Sequence, residues 1–400
     1  MEIGVIGCGT AGSAAAILLA RAGHAVTVLE RVAEPKPIGA GIIIQPTGQA
    51  VLQALELYSQ VEARGTKLRR LYLRTQRGRK LVDLQYAKLE SSWFGLGIHR
   101  GVLFQALYGA ARVEERVTIV TGCDVRSLRR DGAQTFAIDA TGAEHGPFAL
   151  VVIADGSVSE LRGTAGETAR DTPYPWGALW FVAPDPDRIF EPELYQVATR
   201  AHRLYGVLPT GLGPSGTTQV VSLFWSMRAQ DLDVWRATDL ETWKAEVRAH
   251  DPRIAFVLDA ITSHDQLTFA RYRDVAMKRT HDRGVVFIGD AAHATSPQLG
   301  QGANLALMDA LELAEAVAAT ASVDDALDAY ARARRGHVRH YQRMTRMLTP
   351  FFQSSSSFLG WLRDWTFPIA NAIPPLRNHM IRTMCGVSRG FGRRALPLPR

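Results

Sequence analysis

The sequence predicts an α/β fold, because three short apolar runs each end at a turn that contains glycine or aspartate. These runs are IGVI at 3–6, ALVVIA at 149–154 and VVFIG at 285–289. A continuous apolar run, in contrast to an alternating one, is typical of a strand that is buried on both faces of a parallel sheet. Open sheets of this kind bind ligands at the carboxyl ends of their strands, so the three turns form the candidate site.

Length and composition restrict the class of protein. Four hundred residues are more than one compact core usually holds, so two interwoven or consecutive domains are expected. The 46% apolar fraction is typical of a globular chain. Cys8, Cys123 and Cys385 lack disulfide and metal-ligand spacing, which predicts a reducing compartment and no bound metal. Without a signal peptide or a run of about 18 apolar residues, we expect a cytoplasmic protein.

The formal net charge of +7 does not by itself indicate a nucleic-acid partner, because basic residues are spread through the chain. The region 360–400 differs, since it holds several arginines and the single acid Asp364. Its arginines alternate with Trp, Phe, Leu and Pro, which favours peripheral contact with a membrane or another partner over nucleic-acid binding. An amphipathic helical cap with a solvated basic face fits the same residues equally well.

The first turn, GCGTAG at 7–12, has the context that a dinucleotide-binding turn requires. An apolar strand precedes it, and a helix and the strand VTVLE follow it. Gly7 permits the tight turn, Gly9 lets a pyrophosphate approach the main chain, and Gly12 lets the helix pack on the strand. Glu30 ends the second strand, where a carboxylate can accept hydrogen bonds from ribose hydroxyls.

The other two turns follow the same design. Asp155 and Gly156 come directly after the second buried run, although such a pair alone is a common turn. The third segment, GDAAHATSPQLGQGANLALMDA at 289–310, places Asp290 at a strand end and glycines before a helix. The helix start presents unpaired N–H groups, and the glycines leave room for a flat, electron-rich group against the main chain.

Together these segments resemble the class A flavin-dependent aromatic monooxygenases, within the glutathione-reductase-like FAD family. The segments GAGIIIQPTG and HRGVLFQAL also resemble stretches of that family, in family order across 1 to about 345. The family usually has glycine where Ile153 stands, which weakens the expectation that NAD(P)H touches this turn. The residues that match its three motifs are Gly7, Gly9, Gly12, Glu30 and Arg31; Asp155 and Gly156; and Gly289, Asp290, Pro297, Gly300, Gln301, Gly302 and Asn304.

The resemblance implies FAD as the cofactor and gives roles to these positions. It implies pyrophosphate binding by 7–12, ribose binding by Glu30 and ribityl binding by Asp290. The cofactor-binding residues that it implies are Gly7, Gly9, Gly12, Glu30, Arg31, Arg100, Gln105, Asp155, Gly289, Asp290, Gly302, Ala303 and Asn304. The residues that it places around the flavin ring are Pro297, Gly300, Gln301 and Gly302.

The predicted architecture is a Rossmann-like FAD-binding domain with an interleaved mixed β-sheet substrate domain and C-terminal helices. The hairpin-like segment 67–86 and the strand-like runs of 171–275 interrupt the nucleotide-binding pattern. Aromatic residues there could line a substrate pocket or fill a sheet core: Trp176, Trp180, Phe181, Tyr205, Phe224 and Trp225. The predicted domains are 1–66, 99–170 and 276–345 for FAD, 67–98 and 171–275 for substrate, and 346–400 for the helical cap.

The resemblance also implies the reaction. FAD would be reduced by NADH or NADPH, capture O2 as a C4a-hydroperoxide, and hydroxylate or epoxidise a hydrophobic aromatic substrate of quinolone, quinone-precursor or polyketide type. No side-chain acid or base is assigned, because His293 more naturally belongs to the loop that holds FAD and His99 is no better placed. A flavin-dependent reductase or dehydrogenase without oxygen insertion is the alternative, and a non-enzymatic FAD-fold carrier is a third hypothesis.

Overall fold

The computed structural model describes residues 1–390, 396 and 398, and it has four sheets surrounded by helices. The strands are β1 Glu2–Ile6, β2 Ala25–Glu30, β3 Gly41–Ile44, β4 Thr66–Leu68, β5 Arg70–Thr75, β6 Lys80–Gln85, β7 Gly95–His99, β8 Val117–Thr121, β9 Val125–Asp131, β10 Gln134–Asp139, β11 Glu144–Phe148, β12 Leu150–Ile153, β13 Glu167–Pro184, β14 Glu193–Thr199, β15 Arg203–Leu212, β16 Gln219–Arg228, β17 Thr268–Arg279, β18 His281–Asp282 and β19 Val285–Phe287.

The helices connect and cover these sheets. They are α1 Thr10–Arg21, α2 Pro46–Ala54, α3 Tyr58–Glu62, α4 Arg100–Val113, α5 Arg162–Ala165, α6 Leu232–Ala237, α7 Leu240–His250, α8 Ala255–Asp259, α9 Asp290–His293, α10 Gly302–Ala319, α11 Val323–Leu348, α12 Ser357–Ala372 and α13 Pro374–Met384.

The three apolar runs form neighbouring strands of one sheet, as the sequence predicts. Its order is β18-β19-β12-β1-β2-β8, and all neighbours run parallel except β18. Helix α1 packs against α10 and α4 on one face. Phe148 of the three-stranded sheet β11-β10-β9 covers the other face, and a Cβ on Gly4 would lie 2.7 Å from its ring. Burial on both faces explains why these strands are continuously apolar.

The second large sheet has the order β17-β13-β16-β15-β14-β5-β6 and contains the antiparallel hairpin predicted around 67–86. Only β14 and β5 pair in parallel among these strands, so the sheet is mixed. One face packs on α6, α7 and α8 through a hydrophobic cluster that includes Trp225 and Trp243. The mixed α/β class with two large sheets therefore agrees with the prediction.

A small sheet, β3-β7-β4, packs against β15 of the second sheet and contacts α10 through β3. A Cβ on Gly41 would lie 2.6 Å from Cγ2 of Thr210, and a Cβ on Gly97 would lie 2.2 Å from the carbonyl oxygen of Pro209. Since any larger residue would push the strands apart, these two glycines set how closely β3 and β7 approach β15. The small sheet therefore fixes β15 of the second sheet close to α10, which contacts β3.

The C-terminal segment returns to the body of the protein. Helix α11 has buried polar residues, and Tyr341 donates its hydroxyl to the carbonyl of Thr383 at 3.0 Å. No helix among the described residues is long and apolar enough to cross a membrane. Parts of the predicted cap, 391–395, 397 and 399–400, lie outside the described residues.

A buried ion cluster links three helices behind the third turn. Asp309 of α10 is fully buried, and Nε of Arg334 from α11 donates to its Oδ1 at 2.6 Å. Its Oδ2 lies 2.5 Å from Nε2 of His293 in α9 and accepts from the main-chain N–H of Gly289 at 2.8 Å. Burial would raise the pKa of the Asp309 carboxyl, but the charges of His293 and Arg334 outweigh burial and hold it well below its ordinary value.

Candidate functional site

The parallel strands bring the predicted turns to one edge of the sheet. Strands β1, β2, β12 and β19 point the same way, so the turns after Ile6, Glu30, Ile153 and Phe287 follow carboxyl ends that lie side by side. Residues far apart in sequence thus meet where α/β sheets bind ligands.

In the first turn, the three glycines meet different constraints. Gly7 has φ +97°, and a Cβ there would lie 2.6 Å from the carbonyl oxygen of Ala154. A Cβ on Gly12 would lie 1.9 Å from the carbonyl oxygen of Gly7, so the turn itself requires both glycines. A Cβ on Gly9 would meet no atom within 4 Å. Gly9 is therefore the point where a ligand can reach the main chain and the unpaired N–H groups of the first turn of α1.

The carboxylate of Glu30 is fixed beside this turn. Its Oε2 accepts from the N–H of Cys8 at 2.7 Å, and its Oε1 accepts from the N–H of Val32 at 2.8 Å. Each oxygen keeps a lone pair for a further donor, such as a hydroxyl. Arg31, next in the chain, is exposed.

Helix α4 begins with a cation. Arg100 is its first residue and is exposed, and no acidic partner contacts its guanidinium among the residues that the structure describes. Its stem runs beside Gly39, where a Cβ would lie 3.1 Å from Cδ of Arg100. Gln105 is also exposed on this helix. His99 caps the helix by accepting from the N–H of Gly101 at 3.0 Å, and burial lowers the pKa of His99.

The second turn is held from one side by an arginine that the sequence analysis did not single out. Arg162 is buried and donates to the carbonyl oxygens of Ser157, Ser159 and Ala291, which ties the turn to α9. Its only sequence signal is its place in the stretch ADGSVSELR at 154–162, seven residues after the aspartate.

Asp155 lies at the end of β12 with an unsatisfied oxygen. Its buried Oδ1 has no hydrogen-bond partner among the described residues, and burial raises the pKa of its carboxyl. Ile153, where the family usually has glycine, is completely buried within β12. The second turn approaches the first turn through the main chain of Ala154, which lies against Gly7. The side chain of Ile153 therefore does not obstruct this approach.

In the third segment, exposed residues alternate with buried ones. Asp290 begins α9 and is exposed, and the Cβ position of Gly302 lies 3.8 Å from its Oδ1. A single 3₁₀ turn spans Pro297–Leu299, and Gly300, which caps it, has φ +61° and open space where a side chain would be. The first N–H groups of the 18-residue helix α10, which include that of Ala303, have no partner within the helix.

Asn304 is a clamp between this segment and β3. Its Nδ2 donates to the carbonyl oxygens of Ile43 and Gly300, both at 3.1 Å, and its Oδ1 accepts from the N–H of Gln45 at 2.8 Å. A Cβ on Gly48 would lie 2.3 Å from Oδ1. The amide is thus occupied by the protein, and Asn304 can offer a ligand only its main chain.

Gln301 is likewise turned inward. It is buried, and its Nε2 donates to the carbonyl oxygen of Met384 at 2.8 Å, which joins the third segment to the C-terminal helices. Its Oε1 is buried without a partner among the described residues. His293 is buried against Asp309, so it has a structural contact and no free path to a substrate.

The aromatic residues of the second sheet divide between its two faces. Phe181, Tyr205 and Trp225 pack on the helices α6 to α8, so they belong to a hydrophobic core. Trp176 is buried beneath the guanidinium of Arg228. The pocket hypothesis therefore fails for the three residues on the helix-covered face.

Trp180 and Phe224 lie on the other face. Their rings are 5.4 Å apart, and Nε1 of Trp180 donates to the hydroxyl of Tyr272 at 3.1 Å. Phe224 packs against a buried cluster of three leucines, and Ile43, the residue whose carbonyl Asn304 holds, packs against the same cluster. Three residues beyond Tyr272, the N–H of Val275 donates to the carbonyl of Ala294 at 2.8 Å. One end of this aromatic group therefore shares a hydrophobic cluster with Ile43, and the strand that carries the other end is hydrogen-bonded to Ala294.

Comparisons with known proteins identify the family of this chain. The model of the FAD-binding domain family matches residues 1–345. The 6-methylpretetramide 4-monooxygenase of Streptomyces rimosus is 27% identical over 396 residues, which cover 96% of this chain and 92% of that one. A probable 2-heptyl-3-hydroxy-4(1H)-quinolone synthase of Rhodococcus erythropolis is 28% identical over 341 residues, which cover 85% of each.

A solved structure has the same fold. The FAD complex of a variant of HpxO from Klebsiella pneumoniae aligns with a TM-score of 0.78 and 20% identity, over 96% of this chain and 99% of that one. The family match spans all three turns described above. The chain therefore belongs to the FAD-binding domain family and, within it, to the class A flavin-dependent aromatic monooxygenases.

Proposed function

We propose that this FAD-dependent monooxygenase uses NADH or NADPH and O2 to hydroxylate or epoxidise a hydrophobic aromatic substrate of quinolone, quinone-precursor or polyketide type. The observation that carries the proposal is the aromatic face of Trp180, Phe224 and Tyr272, which the small sheet and the 294–304 segment hold in place. Such a face favours a flat, apolar molecule. Relatives named for 6-methylpretetramide and for a heptyl-quinolone support this substrate class.

The residues at the sheet edge fit FAD. Exposed and unpaired Arg100 would neutralise the pyrophosphate near the open main chain at Gly9, and Glu30 would accept from the adenosine ribose. Exposed Asp290 would accept from the ribityl chain. Bound there, FAD supplies the electron transfer and the oxygen activation.

The chain's own part is to orient, to exclude water and to stabilise charge. The open space at Gly300 would admit the flavin ring, with Pro297 beside it. The positive end of α10, from Gly302, would stabilise the negative charge that a reduced ring carries at N1 and O2. Asn304 would act by fixing the main chain, because its amide is occupied, and Gln301 would do so through the hydrogen bond of its Nε2 to the carbonyl oxygen of Met384.

The positions of these residues in the two large sheets support different roles for different segments of the chain. We assign 1–66, 99–170 and 276–345 to FAD binding, since they hold the parallel sheet and its turns. We assign 67–98 and 171–275 to substrate binding, since they form most of the second sheet. The remaining segment, 346–400, contains α12 and α13 and would be a cap.

A row of apolar residues on α12 supports peripheral contact with a membrane surface. Phe358, Trp361, Trp365 and Ile369 are each more than half exposed, and the guanidinium of Arg79 lies 4.8 Å from the ring of Trp365. Aromatic residues beside a cation suit the interface of an anionic bilayer.

For FAD binding, we expect Arg100→Ala and Asp290→Asn each to weaken the affinity for FAD by about 10-fold or more, because each removes a charge-assisted hydrogen bond. Fluorescence titration of the stripped protein with FAD measures this. The matched controls are Arg335→Ala and Asp187→Asn, which alter exposed residues away from the site. Wild-type affinity in both site variants would contradict the FAD site described here.

For the reaction, a panel of quinolones, quinone precursors and polyketide phenols is tested with the FAD-loaded protein, NADH or NADPH and isotope-labelled O2. We expect one class to accelerate oxidation of the nicotinamide, to lower the peroxide yield and to gain one labelled oxygen atom. A product that is reduced or dehydrogenated without label would instead identify the alternative reductase or dehydrogenase activity.

The substrate face is tested within the same assay. Phe224→Leu should raise the KM for that substrate by about 2- to 10-fold, because an aromatic contact is lost. Phe181→Leu is the matched control, since Phe181 is also half-buried but packs on the helix-covered face. An equal effect of both variants on KM would argue against substrate binding at Phe224.

For the membrane surface, we expect the protein to float with vesicles of acidic phospholipid. The Trp361→Ser, Trp365→Ser double variant should lose most of this binding, because the buried aromatic area is removed. The control double variant Val113→Ser, Val234→Ser removes two exposed apolar side chains elsewhere and should bind like wild type. Absence of wild-type binding to acidic vesicles would reject the contact.

A further inference from the structure

Three potential metal ligands converge beside the adenosine end of the candidate site. Cys123 follows β8, Asp139 ends β10 and His145 lies in β11. Sγ of Cys123 is 3.3 Å from Nε2 of His145, and this nitrogen is 2.9 Å from Oδ2 of Asp139. The three donor atoms all lie within 4.8 Å of one another. A sulfur, a nitrogen and an oxygen thus face a common point.

The carboxylate is oriented for this point by hydrogen bonds on its other oxygen. Oδ1 of Asp139 accepts from the N–H of Thr141 at 2.8 Å, from its hydroxyl at 2.6 Å and from the N–H of Ala143 at 3.1 Å. These bonds leave Oδ2 for the cluster. Outer hydrogen bonds that fix a ligand in this way are characteristic of metal sites.

Hydrogen bonds alone cannot make all the contacts within this cluster favourable. One N–H on Nε2 of His145 can point well at either Oδ2 of Asp139 or Sγ of Cys123, and the other contact is then unsatisfied. If Nε2 instead accepts from the thiol, its lone pair faces the carboxylate of Asp139. A cation between the three atoms makes all three contacts favourable.

The dimensions suit a small tetrahedral ion. With tetrahedral angles, bonds of about 2.3 Å to sulfur and about 2.0 Å to nitrogen and oxygen place the sulfur about 3.5 Å and the oxygen about 3.3 Å from the nitrogen. The observed separations of 3.3 and 2.9 Å are shorter by only a few tenths of an ångström. The side chains of His145 and Asp139 are partly exposed, which gives an ion a path from solvent and leaves space for a water ligand.

We propose that Cys123, Asp139 and His145 bind one Zn²⁺-class divalent cation, with the Cys123 thiolate, the Asp139 carboxylate and the His145 imidazole as ligands and water as the fourth. A soft thiolate with an imidazole selects zinc-like ions over Mg²⁺ or Ca²⁺. On binding, the metal–sulfur bond replaces the S–H bond, and the thiol proton passes to solvent.

The ion would join three strands to the end of β2. The N–H of Cys123 donates to the carbonyl oxygen of Glu30 at 2.9 Å, so the metal site and the proposed ribose acceptor share a hydrogen bond. Since the ion binds only the folded arrangement of these strands, it stabilises that arrangement. This role is structural and is independent of the proposed oxygenation.

The test uses the full-length, FAD-loaded protein after treatment with a chelator. Calorimetric titration with Zn²⁺ should give one site per chain with a Kd at or below about 1 µM, and saturating Zn²⁺ should raise the thermal unfolding midpoint by at least about 2 °C. Cys123→Ser and His145→Asn should each weaken binding by at least about 100-fold. The control Cys385→Ser alters a buried thiol outside the cluster and should bind Zn²⁺ like wild type.

A spectroscopic measurement keeps the test valid if a variant folds poorly. Co²⁺ added to the wild-type protein should produce a thiolate-to-cobalt charge-transfer band in the difference spectrum, where the flavin absorbance cancels. The proposal is overturned if wild type binds no Zn²⁺ below about 100 µM, if Co²⁺ gives no thiolate band, or if Cys123→Ser and His145→Asn both bind Zn²⁺ like wild type.

Discussion

The buried carboxylate of Asp309 is the constraint on which the arrangement of the third turn depends. It accepts the main-chain N–H of Gly289 and contacts side chains of α9 and α11 while belonging to α10 itself. An unpaired charge is costly to remove from water. The third turn, α9, α10 and α11 can therefore come together only in the arrangement that satisfies the carboxylate. That arrangement leaves Asp290 exposed at the sheet edge and the start of α10 beside it.

The uncharged side chain of Asn304 connects α10 to the substrate side of the protein. Asn304, five residues before Asp309, holds the carbonyl of Ile43 and the N–H of Gln45, so β3 cannot move independently of α10. Ile43 and Phe224 pack against the same cluster of buried leucines, which links the clamp to the aromatic face. The loop that would hold the flavin ring and the face that would hold the substrate are therefore positioned by the same helix.

Much of this could be predicted from sequence because the local signals are strong. The buried parallel strands, the open main chain at Gly9 and the helix after Gly302 follow from patterns within a few residues. The partner of His293 could not be predicted, since Asp309 lies sixteen residues away and becomes its neighbour only in the fold. Successive side chains of a strand point to opposite faces, so the sequence could have placed Phe224 and Trp225 on different faces of the second sheet. Only the structure shows which of these faces the helices cover. The proximity of Cys123, Asp139 and His145 could not be predicted from sequence, because the pairing of separate strands creates it.

The most direct test of this account is the acid dependence of unfolding in Asp309→Asn compared with wild type, with Asp187→Asn as control. We expect the variant to lose about 3–5 kcal/mol of unfolding free energy at neutral pH, because Arg334 is left buried and uncompensated. Because the pKa of the Asp309 carboxyl is lowered in the native state, its contribution to the unfolding free energy is fully present above about pH 4. This contribution is lost as the pH falls below about 4, so the difference in stability between variant and wild type should become smaller there. Equal stability of variant and wild type across this range would contradict the account.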